Sequence, residues 1–338
     1  MRIDQLGEFG LIGRIQQALP KPGHDVLVGI GDDVAVLKPS AGRVILATCD
    51  VQMEGAHFLR NAIRPFDLGR KALAINLSDI AAKGGSPRFA LISLGLPGDL
   101  EVEFVDGLYA GLRAESEKFG VDIVGGNISS SRAGLFIDIT LLGDALPEDI
   151  VLRSGALAGD QILVTGTLGD AAAGVALLLD ANLSTTEAYA AVAQTHRDTP
   201  TPRVREGAWI GASHLATSML DISDGLAGDL GHICERSRVG ARLFADQLPV
   251  AKENRALALA AHGNEWHFAL HGGEDYELLF TAPAAQVDAL TAQIRLQSGT
   301  SVTLIGEILP EGEGQQLVLS DGHAHPLHMR GWDHFKEV

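Results

Sequence analysis

The chain has 338 residues, with 43 acidic side chains against 26 lysines and arginines, so its formal net charge is −17. Hydrophobic residues make up 46% and charged residues 20%, a globular composition that excludes intrinsic disorder and provides for about two domains of ordinary size. The acidic excess argues against nucleic-acid binding, because phosphate backbones are held by clustered Lys and Arg. The same excess is compatible with a protein that holds cations.

Strand-like and helix-like segments alternate in the first half of the chain. The pattern predicts strands over residues 44–47, 89–94, 121–124 and 135–142, and helices over residues 67–83 and 100–119. In the last of these strands, Asp138 and Thr140 alternate with apolar residues, which is typical of a half-buried strand. Residues 144–149 contain a proline and three acidic residues and are the predicted linker.

The second half repeats the alternation. It predicts strands over residues 162–165, 278–281 and 302–308, and helices over residues 170–183, 224–236 and 284–297. The pattern therefore predicts two α/β domains, residues 1–149 and 150–338.

Three features predict a cytoplasmic enzyme. Residues 1–19 contain Asp4 and Glu8 and no apolar segment, which argues against a signal peptide. The longest run without polar side chains, residues 171–179, is far shorter than the roughly 20 residues that a membrane span needs. The 2 cysteines are too few for a disulfide framework or a cysteine-based zinc site.

Several carboxylates have unusual sequence neighbours. Residues 29–33 place Asp32 and Asp33 directly after a glycine turn, Asp50 follows an apolar strand, and Asp79 lies on a helix of mostly Ala, Leu and Ile. The spacing of Asn76, Asp79 and Lys83 predicts that all three share one helix face. A carboxylate buried on such a helix needs a cation or a water-filled cleft.

Each acidic position also has a structural alternative. An Asp after Gly is a common turn former, and Asp221 or Asp224 before a helix is a common N-cap. Four such sites at the ends of hydrophobic segments nevertheless favour an oxygen-ligand site, and Mg²⁺ prefers such ligands. P-loop, dinucleotide, metalloprotease, hydrolase and protein-kinase motifs are absent from the sequence. The C-terminal histidines are predicted to be exposed rather than metal-binding: His323, His325, His328 and His334.

Four motifs, in this order and approximate spacing, resemble thiamine-monophosphate kinase. They are Gly-Ile-Gly-Asp-Asp at 29–33, Asn-Leu-Ser-Asp-Ile-Ala-Ala at 76–82, Asp-Ile-Ser-Asp-Gly-Leu at 221–226 and Gly-Gly-Glu-Asp-Tyr-Glu-Leu at 272–278. The opening Gly-Glu-Phe at 7–9 and the closing Gly-Trp-Asp-His-Phe at 331–335 also fit, so the resemblance covers nearly the whole chain.

The resemblance implies ATP-dependent phosphorylation of thiamine phosphate to thiamine diphosphate with several Mg²⁺ ions. It also implies an α/β (α+β) fold like that of aminoimidazole ribonucleotide synthetase. In that fold the N-terminal domain binds ATP and Mg²⁺, and its mixed sheet pairs with a second copy in a homodimer. The C-terminal α/β domain completes the nucleotide and substrate site.

Site residues follow from the resemblance by motif position. The implied metal ligands are Asp33, Thr48, Cys49, Asp50, Asp79, Asn127, Asp221 and Asp224. The implied ATP contacts are Gly126, Asn127, Arg153 and Ser223. The implied thiamine phosphate contacts are His57, Glu274 and Trp332, with the indole supplying an aromatic face for the cationic substrate.

Two positions depart from the family pattern. Asn127 stands where the family usually has an aspartate, so an amide oxygen replaces a carboxylate and Mg²⁺ should bind more weakly. Cys49 stands where a threonine is usual, and a neutral thiol is a poor Mg²⁺ ligand. These departures leave open a different metabolite as substrate for a related ATP-dependent enzyme, or a weakened homologue that only binds nucleotide or metabolite.

Elementary electrostatics supports the implied reaction. ATP carries about four negative charges and a phosphate monoester nearly two. Like charges ~4 Å apart repel by ~4 kcal/mol per pair at an effective dielectric constant of ~20, so cations are required. The acceptor oxygen is already anionic, so we expect direct in-line transfer without a general base.

Overall fold

The computed structural model describes residues 1–30 and 34–328, and it divides into two compact units. The N-terminal unit comprises residues 1–80 and 85–147, and the C-terminal unit comprises residues 81–84 and the chain from residue 148. The domain boundary predicted between residues 149 and 150 stays a prediction. Asp33, Trp332 and His334, which the sequence analysis singled out, lie outside the described residues.

The N-terminal unit contains a mixed four-stranded sheet in the order β3-β6-β4-β5, in which only the β4–β5 pair is parallel. A separate antiparallel pair, β1–β2, precedes it. The strands are β1 (Val26–Val28), β2 (Val36–Leu37), β3 (Val44–Met53), β4 (Ser86–Leu96), β5 (Asp122–Ser130) and β6 (Phe136–Ala145). The helices are α1 (Ile3–Leu6), α2 (Glu8–Ala18), α3 (Pro65–Ala81) and α4 (Val102–Phe119).

The two faces of this sheet differ in burial. On β6, Ile137, Ile139 and Leu141 are fully buried, and we call their side of the sheet the covered face. Asp138 and Thr140 alternate with them and lie on the opposite, open face, as strand geometry requires. The half-buried strand predicted from this alternation is confirmed.

In the C-terminal unit, the described strands form a sheet in the order β13-β12-β9-β11-β7-β10-β8. The β9–β12 pair is parallel and the other pairs are antiparallel. The strands are β7 (Asp160–Thr165), β8 (Ser218–Asp221), β9 (Val239–Phe244), β10 (Leu278–Pro283), β11 (Val302–Pro310), β12 (Gln315–Val318) and β13 (Ala324–Pro326). The helices are α5 (Asp170–Leu179), α6 (Glu187–Asp198), α7 (Val204–Ser213), α8 (Leu226–Ser237), α9 (Lys252–His262), α10 (His267–His271) and α11 (Val287–Ser298).

Several predicted boundaries were wrong in ways that affect the site. The strand predicted over residues 44–47 continues to Met53, because its pairing with β6 persists along all ten residues, so Asp50 lies within a strand and not after it. The helix predicted over 67–83 spans Pro65–Ala81, so Lys83 lies beyond the helix that carries Asn76 and Asp79. The predicted linker is structured in part, because β6 reaches Ala145 and a 3₁₀ turn covers Pro147–Asp149.

Within the described ranges, every helix falls short of a membrane-spanning segment in length or in apolar character. Of the C-terminal histidines, His323, His325 and His328 are exposed, as predicted.

Glycines let α3 and α4 approach backbone to backbone. A Cβ on Gly111 would lie 1.9 Å from the carbonyl oxygen of Phe66, and one on Gly69 would lie 2.1 Å from that of Leu108. Neither backbone atom can move aside without separating the helices. The position of α3, which carries Asn76 and Asp79, therefore depends on these two glycines.

We predict that Gly111→Ala destabilises the chain by about 1–3 kcal/mol, because the added methyl group overpacks the α3–α4 contact. Gly13→Ala on α2 is the matched control, since a Cβ there meets nothing within 4 Å. The control should be stabilising by about 1 kcal/mol through helix propensity. Urea unfolding of both variants measures the difference, and equal effects would contradict the packing described here.

Candidate active site

In the N-terminal unit, a group of candidate ligands lies where α3 meets β3. The Thr48 hydroxyl donates a hydrogen bond to the Asp79 carboxylate. The backbone N–H of Asp50 donates to Asn76 Oδ1 at 3.1 Å, and Asn76 Nδ2 donates to the carbonyl of Ala72 at 3.1 Å. Asn76 is completely buried, so these bonds fix the strand against the helix. Three of the predicted metal ligands, Thr48, Asp50 and Asp79, are thereby brought to one junction.

Cys49 points to the open face, away from its two neighbours in β3. Its Sγ donates to Asp138 Oδ1 at 3.0 Å and accepts from Thr140 Oγ1 at 3.6 Å. The hydrogen bond to Asp138 raises the pKa of the Cys49 thiol, burial and the nearby carboxylate charges act in the same direction, and the Thr140 bond opposes them. The thiol is therefore protonated at neutral pH, a state that binds metal poorly.

Gly126 and Asn127 lie on β5, at the other edge of the same sheet. In the strand register, Asn127 is opposite Ser93, Ser93 is opposite Asp138, and Asp138 is opposite Val51. Asn127 is thus on the open face and three strands from β3, roughly 14 Å away. A Cβ on Gly126 would lie 1.9 Å from a β4 carbonyl oxygen, so only glycine allows this close strand approach.

An ionic cluster holds both sides of the segment that includes the Gly-Asp-Asp motif. Arg88 on β4 binds Asp25 and Ser40, which precede and follow that motif in the sequence, each at 2.5 Å. Arg88 and Arg43 also bind Asp144, at 2.7 and 2.5 Å. Burial opposes ionisation of Asp144, but the hydrogen bonds from Ser40 and Arg43 outweigh it and lower the pKa of this carboxyl group.

His57 lies in the loop after β3 with a defined tautomer. Its Nδ1 accepts the backbone N–H of Met53 at 3.0 Å, so the neutral ring carries its proton on Nε2. The same loop borders a cavity of about 390 Å³ lined by Glu54, Gly55, Leu59, Arg60 and Asn61. An Nε2–H donor suits an anionic oxygen such as that of a phosphate group.

The C-terminal unit has its own group of candidate ligands, which lies between β8 and α8. Asp221 ends β8, a strand that the sequence pattern did not predict, and Ser223 and Asp224 form the turn before the helix. The alternative that an aspartate caps α8 is wrong, because the N-cap is Gly225 and no side chain caps it. Instead, Asp229 Oδ2 in the first turn of α8 accepts the backbone N–H groups of Ser223 and Asp224, both at 3.0 Å.

Asp229 is a functional candidate that the sequence analysis missed. Burial raises its pKa to about 8, with further increases from the charges of Asp221 and Asp224, although the N–H bond from Asp224 opposes the shift. The junction therefore gathers carboxylates that repel one another. The available signal was an aspartate on the apolar face of an amphipathic helix, five residues after the motif aspartate.

The loop at residues 272–277, which we call the Gly-Gly-Glu loop, runs alongside this turn. The backbone N–H of Glu274 donates to the carbonyl of Ser223, and that of Tyr276 donates to the carbonyl of Ile222, both at 2.8 Å. A Cβ on Gly273 would lie 2.4 Å from the Ser223 carbonyl oxygen, so glycine permits the approach. A predicted ATP contact and a predicted substrate contact are thus neighbours.

Arg153 is exposed in the segment that precedes β7. Its carbonyl accepts the Ser237 hydroxyl at 3.4 Å. Its predicted role toward ATP stays a prediction.

Among residues 1–30 and 34–328, no group of three or more His, Cys, Asp or Glu side chains is arranged to hold a metal ion. The donors that do come together are carboxylate and hydroxyl oxygens, the type that Mg²⁺ selects. Mg²⁺ usually takes only one or two carboxylates and completes its shell with phosphate oxygens and water. The donor chemistry therefore fits ions that are held jointly with a phosphorylated ligand.

Comparisons with known proteins agree with this architecture. Residues 31–145 match the N-terminal domain of the family described as AIR synthase related protein, and residues 158–318 match its C-terminal domain. We call the residues Thr48, Asp50 and Asp79 where α3 meets β3, and Asp221, Asp224 and Asp229 around the turn before α8, the two acidic junctions. The domain matches and the fold define a two-domain protein of the AIR synthase related class. The predicted fold class is confirmed.

Three relatives identify the family within this class to which the chain is similar. The chain is 39% identical over 335 residues to thiamine-monophosphate kinase of Aquifex aeolicus (strain VF5), covering 99% of this chain and 100% of the relative. The crystal structure of thiamine-monophosphate kinase from Stenotrophomonas maltophilia K279a is 36% identical, with a TM-score of 0.80 over 94% of this chain and 98% of that one. The structure described as AaThiL complexed with AMPPCP and TMP is 37% identical, with a TM-score of 0.75 over 99% of both chains. The chain belongs to the thiamine-monophosphate kinase family.

Proposed function

We propose that this chain transfers the γ-phosphoryl group of ATP to thiamine phosphate and so forms thiamine diphosphate. The observation that carries the proposal is the full-length likeness to a relative whose solved structure is described as complexed with AMPPCP and TMP. The predicted family motifs support it, since two of them, the 221–226 turn and the Gly-Gly-Glu loop, lie hydrogen-bonded side by side.

Thiamine phosphate is assigned to His57, Glu274 and Trp332. The Nε2–H of His57 donates to a phosphate oxygen, the Glu274 carboxylate complements the cationic thiazolium, and the Trp332 indole stacks on the substrate. ATP is assigned to Gly126, Asn127, Arg153 and Ser223.

Magnesium ions are assigned to carboxylate oxygens and one hydroxyl oxygen. Asp33, Thr48, Asp50 and Asp79 supply oxygens in the N-terminal unit, and Asp221 and Asp224 supply them in the C-terminal unit. Cys49 and Asn127 contribute least, because one presents a protonated thiol and the other a neutral amide. Bound Mg²⁺ neutralises phosphate charge and polarises phosphoryl oxygens.

The chain's own residues act by positioning. The acceptor is an anionic phosphate oxygen, so no side chain has to remove a proton, and no general base is assigned. Backbone and side-chain donors orient the two anions for direct in-line attack, without a phosphoenzyme.

We also propose that the protein acts as a homodimer in the cytoplasm, with the N-terminal sheets of two copies facing each other. Strand β3 lies at the edge of its sheet, and its apolar side chains are exposed, with Ile45 at 68%, Met53 at 47% and Val51 at 39%. An apolar edge strand and open sheet face are typical of surfaces that another chain covers.

The direct test is to incubate the purified chain with ATP, Mg²⁺ and thiamine phosphate and to measure thiamine diphosphate. We expect product, and we expect Asp79→Asn to lower kcat/KM by about 100-fold or more through loss of an anionic metal ligand. The variant should unfold near the wild-type urea midpoint, since its amide oxygen can still accept from Thr48. Asp106→Asn, which removes a half-buried carboxylate paired with Arg14, is the control and should retain activity. Absence of product from the natural chain, or full activity of Asp79→Asn, would contradict the proposal.

We predict that Asn127→Asp lowers the Mg²⁺ concentration for half-maximal rate by several-fold, because it restores a charged oxygen ligand. Asn182→Asp, an exposed change of the same charge in the C-terminal unit, is the control and should have no effect. An unchanged Mg²⁺ requirement would remove Asn127 from the metal set. An inert natural chain that Asn127→Asp activates would instead support the weakened-homologue alternative.

A further inference from the structure

The Gly-Gly-Glu loop contains a buried carboxylate that the proposed reaction does not use. Asp275 is only 4% exposed, and both of its oxygens accept the backbone N–H of Gly169 at 2.9 Å. Gly169 is the N-cap of α5, a ten-residue helix, and has a left-handed φ of 79°. The carboxyl group therefore lies at the helix N-terminus, where the Gly169 N–H and the helix dipole favour its ionised form. Burial nevertheless raises the pKa of Asp275 well above its usual range, and the charges of Asp170, Glu277 and Asp229 add to this shift.

The residues on both sides of Asp275 have unfavourable backbone conformations. Glu274 has a φ of 68° and Tyr276 has a φ of 50°, values that residues other than glycine rarely adopt. Such conformations persist only where the surrounding structure holds them in place, and they concentrate at functional sites. Asp275 lies between the two and is the side chain that ties this part of the loop to α5.

Gly169, the hydrogen-bond partner of Asp275, is held in place by its own packing. A Cβ on Gly169 would lie 2.7 Å from the backbone nitrogen of Ala269, so this glycine is packed directly against α10. The next residue, Asp170, is fixed by the hydroxyl groups of Tyr189 and Thr167 at 2.6 and 2.7 Å. The N-terminus of α5 is thus a rigid anchor for the loop.

The two ends of the loop have separate anchors. The Gly272 N–H donates to the carbonyl of Phe268 at 2.9 Å, and the Glu277 carboxylate binds Arg203 through two bonds of 2.5 and 2.6 Å. Asp275 anchors the middle of the loop, adjacent to the residue whose N–H reaches Ser223.

We propose that Asp275 is a positioning residue, which holds Glu274 against Ser223 through its bonds to the N-terminus of α5 and thereby orients the Glu274 side chain toward thiamine phosphate. This inference rests on the proposed function for the identity of the substrate. Asp275 is buried and acts through the loop, without contacting the substrate itself.

The test compares Asp275→Asn and Asp275→Ala with Asp160→Asn in the full-length chain. Asp160 is the matched control, because it is 5% exposed in the same unit and likewise accepts a backbone N–H, from Leu157 at 2.9 Å. We expect Asp275→Asn to raise the KM for thiamine phosphate about tenfold and to leave the KM for ATP within about twofold. Asp160→Asn should change neither constant. Equal changes in both constants, or wild-type kinetics for both Asp275 variants, would overturn the proposal.

Amide hydrogen exchange provides a measurement that does not depend on catalysis. In Asp275→Asn, peptides covering residues 166–170 and 272–277 should exchange at least about tenfold faster than in the wild type, whereas Asp160→Asn should leave them unchanged. Unchanged exchange in Asp275→Asn would overturn the proposal even in an active enzyme. Faster exchange in Asp275→Asn, combined with a natural chain that makes no thiamine diphosphate, would refute the proposed substrate and retain the anchoring role. If Asp275→Ala does not fold, the proposal is tested with Asp275→Asn alone, because asparagine preserves the side-chain volume and one hydrogen-bond acceptor.

Discussion

Carboxylates held close together repel one another, and this constraint governs the turn before α8. Two unit charges ~4 Å apart repel by ~4 kcal/mol at an effective dielectric constant of ~20. At the turn before α8, Asp221 and Asp224 add their charges to the burial that raises the pKa of Asp229 to about 8. A chain selected for stability alone has no reason to gather these groups at one turn. The proposed reaction provides the reason, since it must bring two polyanions into contact and therefore needs cations.

The precision of the site comes from backbone contacts more than from side chains. The turn at 221–224 and the Gly-Gly-Glu loop are joined by backbone hydrogen bonds of 2.8 Å. Glycines permit the close approach, and left-handed residues such as Glu274 turn the loop. In the N-terminal unit, the buried Asn76 ties α3 to β3 in the same manner. Such contacts place oxygen ligands on rigid elements, as catalysis by positioning requires.

Sequence reasoning predicted the fold class and the main acidic junctions, because they depend on local pattern and on motifs. It placed Asp79 on a helix, and this placement is confirmed. It did not predict the short strand that ends at Asp221, because four residues are too few to show a pattern. It also grouped Thr48 with Cys49, although residues adjacent in a strand point to opposite faces. The implied metal roles of both residues stay predictions. What sequence reasoning missed is that the strand continues past residue 47, since polar residues interrupt the apolar run while the pairing with β6 continues.

The anchoring role of Asp275 could not be predicted from the sequence, for a different reason. Its partner, Gly169, lies 106 residues away, and local pattern carries no information on such a contact. The same holds for the tautomer of His57, which a backbone N–H determines. The roles of Asp33 and Trp332 stay predictions, because both residues lie outside the described part of the chain.

The most direct measurement is calorimetric titration of the full-length chain with a non-hydrolysable ATP analogue, with Mg²⁺ present and after Mg²⁺ has been removed by chelation. If the acidic junctions exist to recruit cations, chelation should abolish nucleotide binding or weaken it by at least about 100-fold, because bare carboxylates repel the triphosphate. Equal affinity in both conditions would contradict the account, since the nucleotide would then bind without the cations on which the proposed chemistry depends.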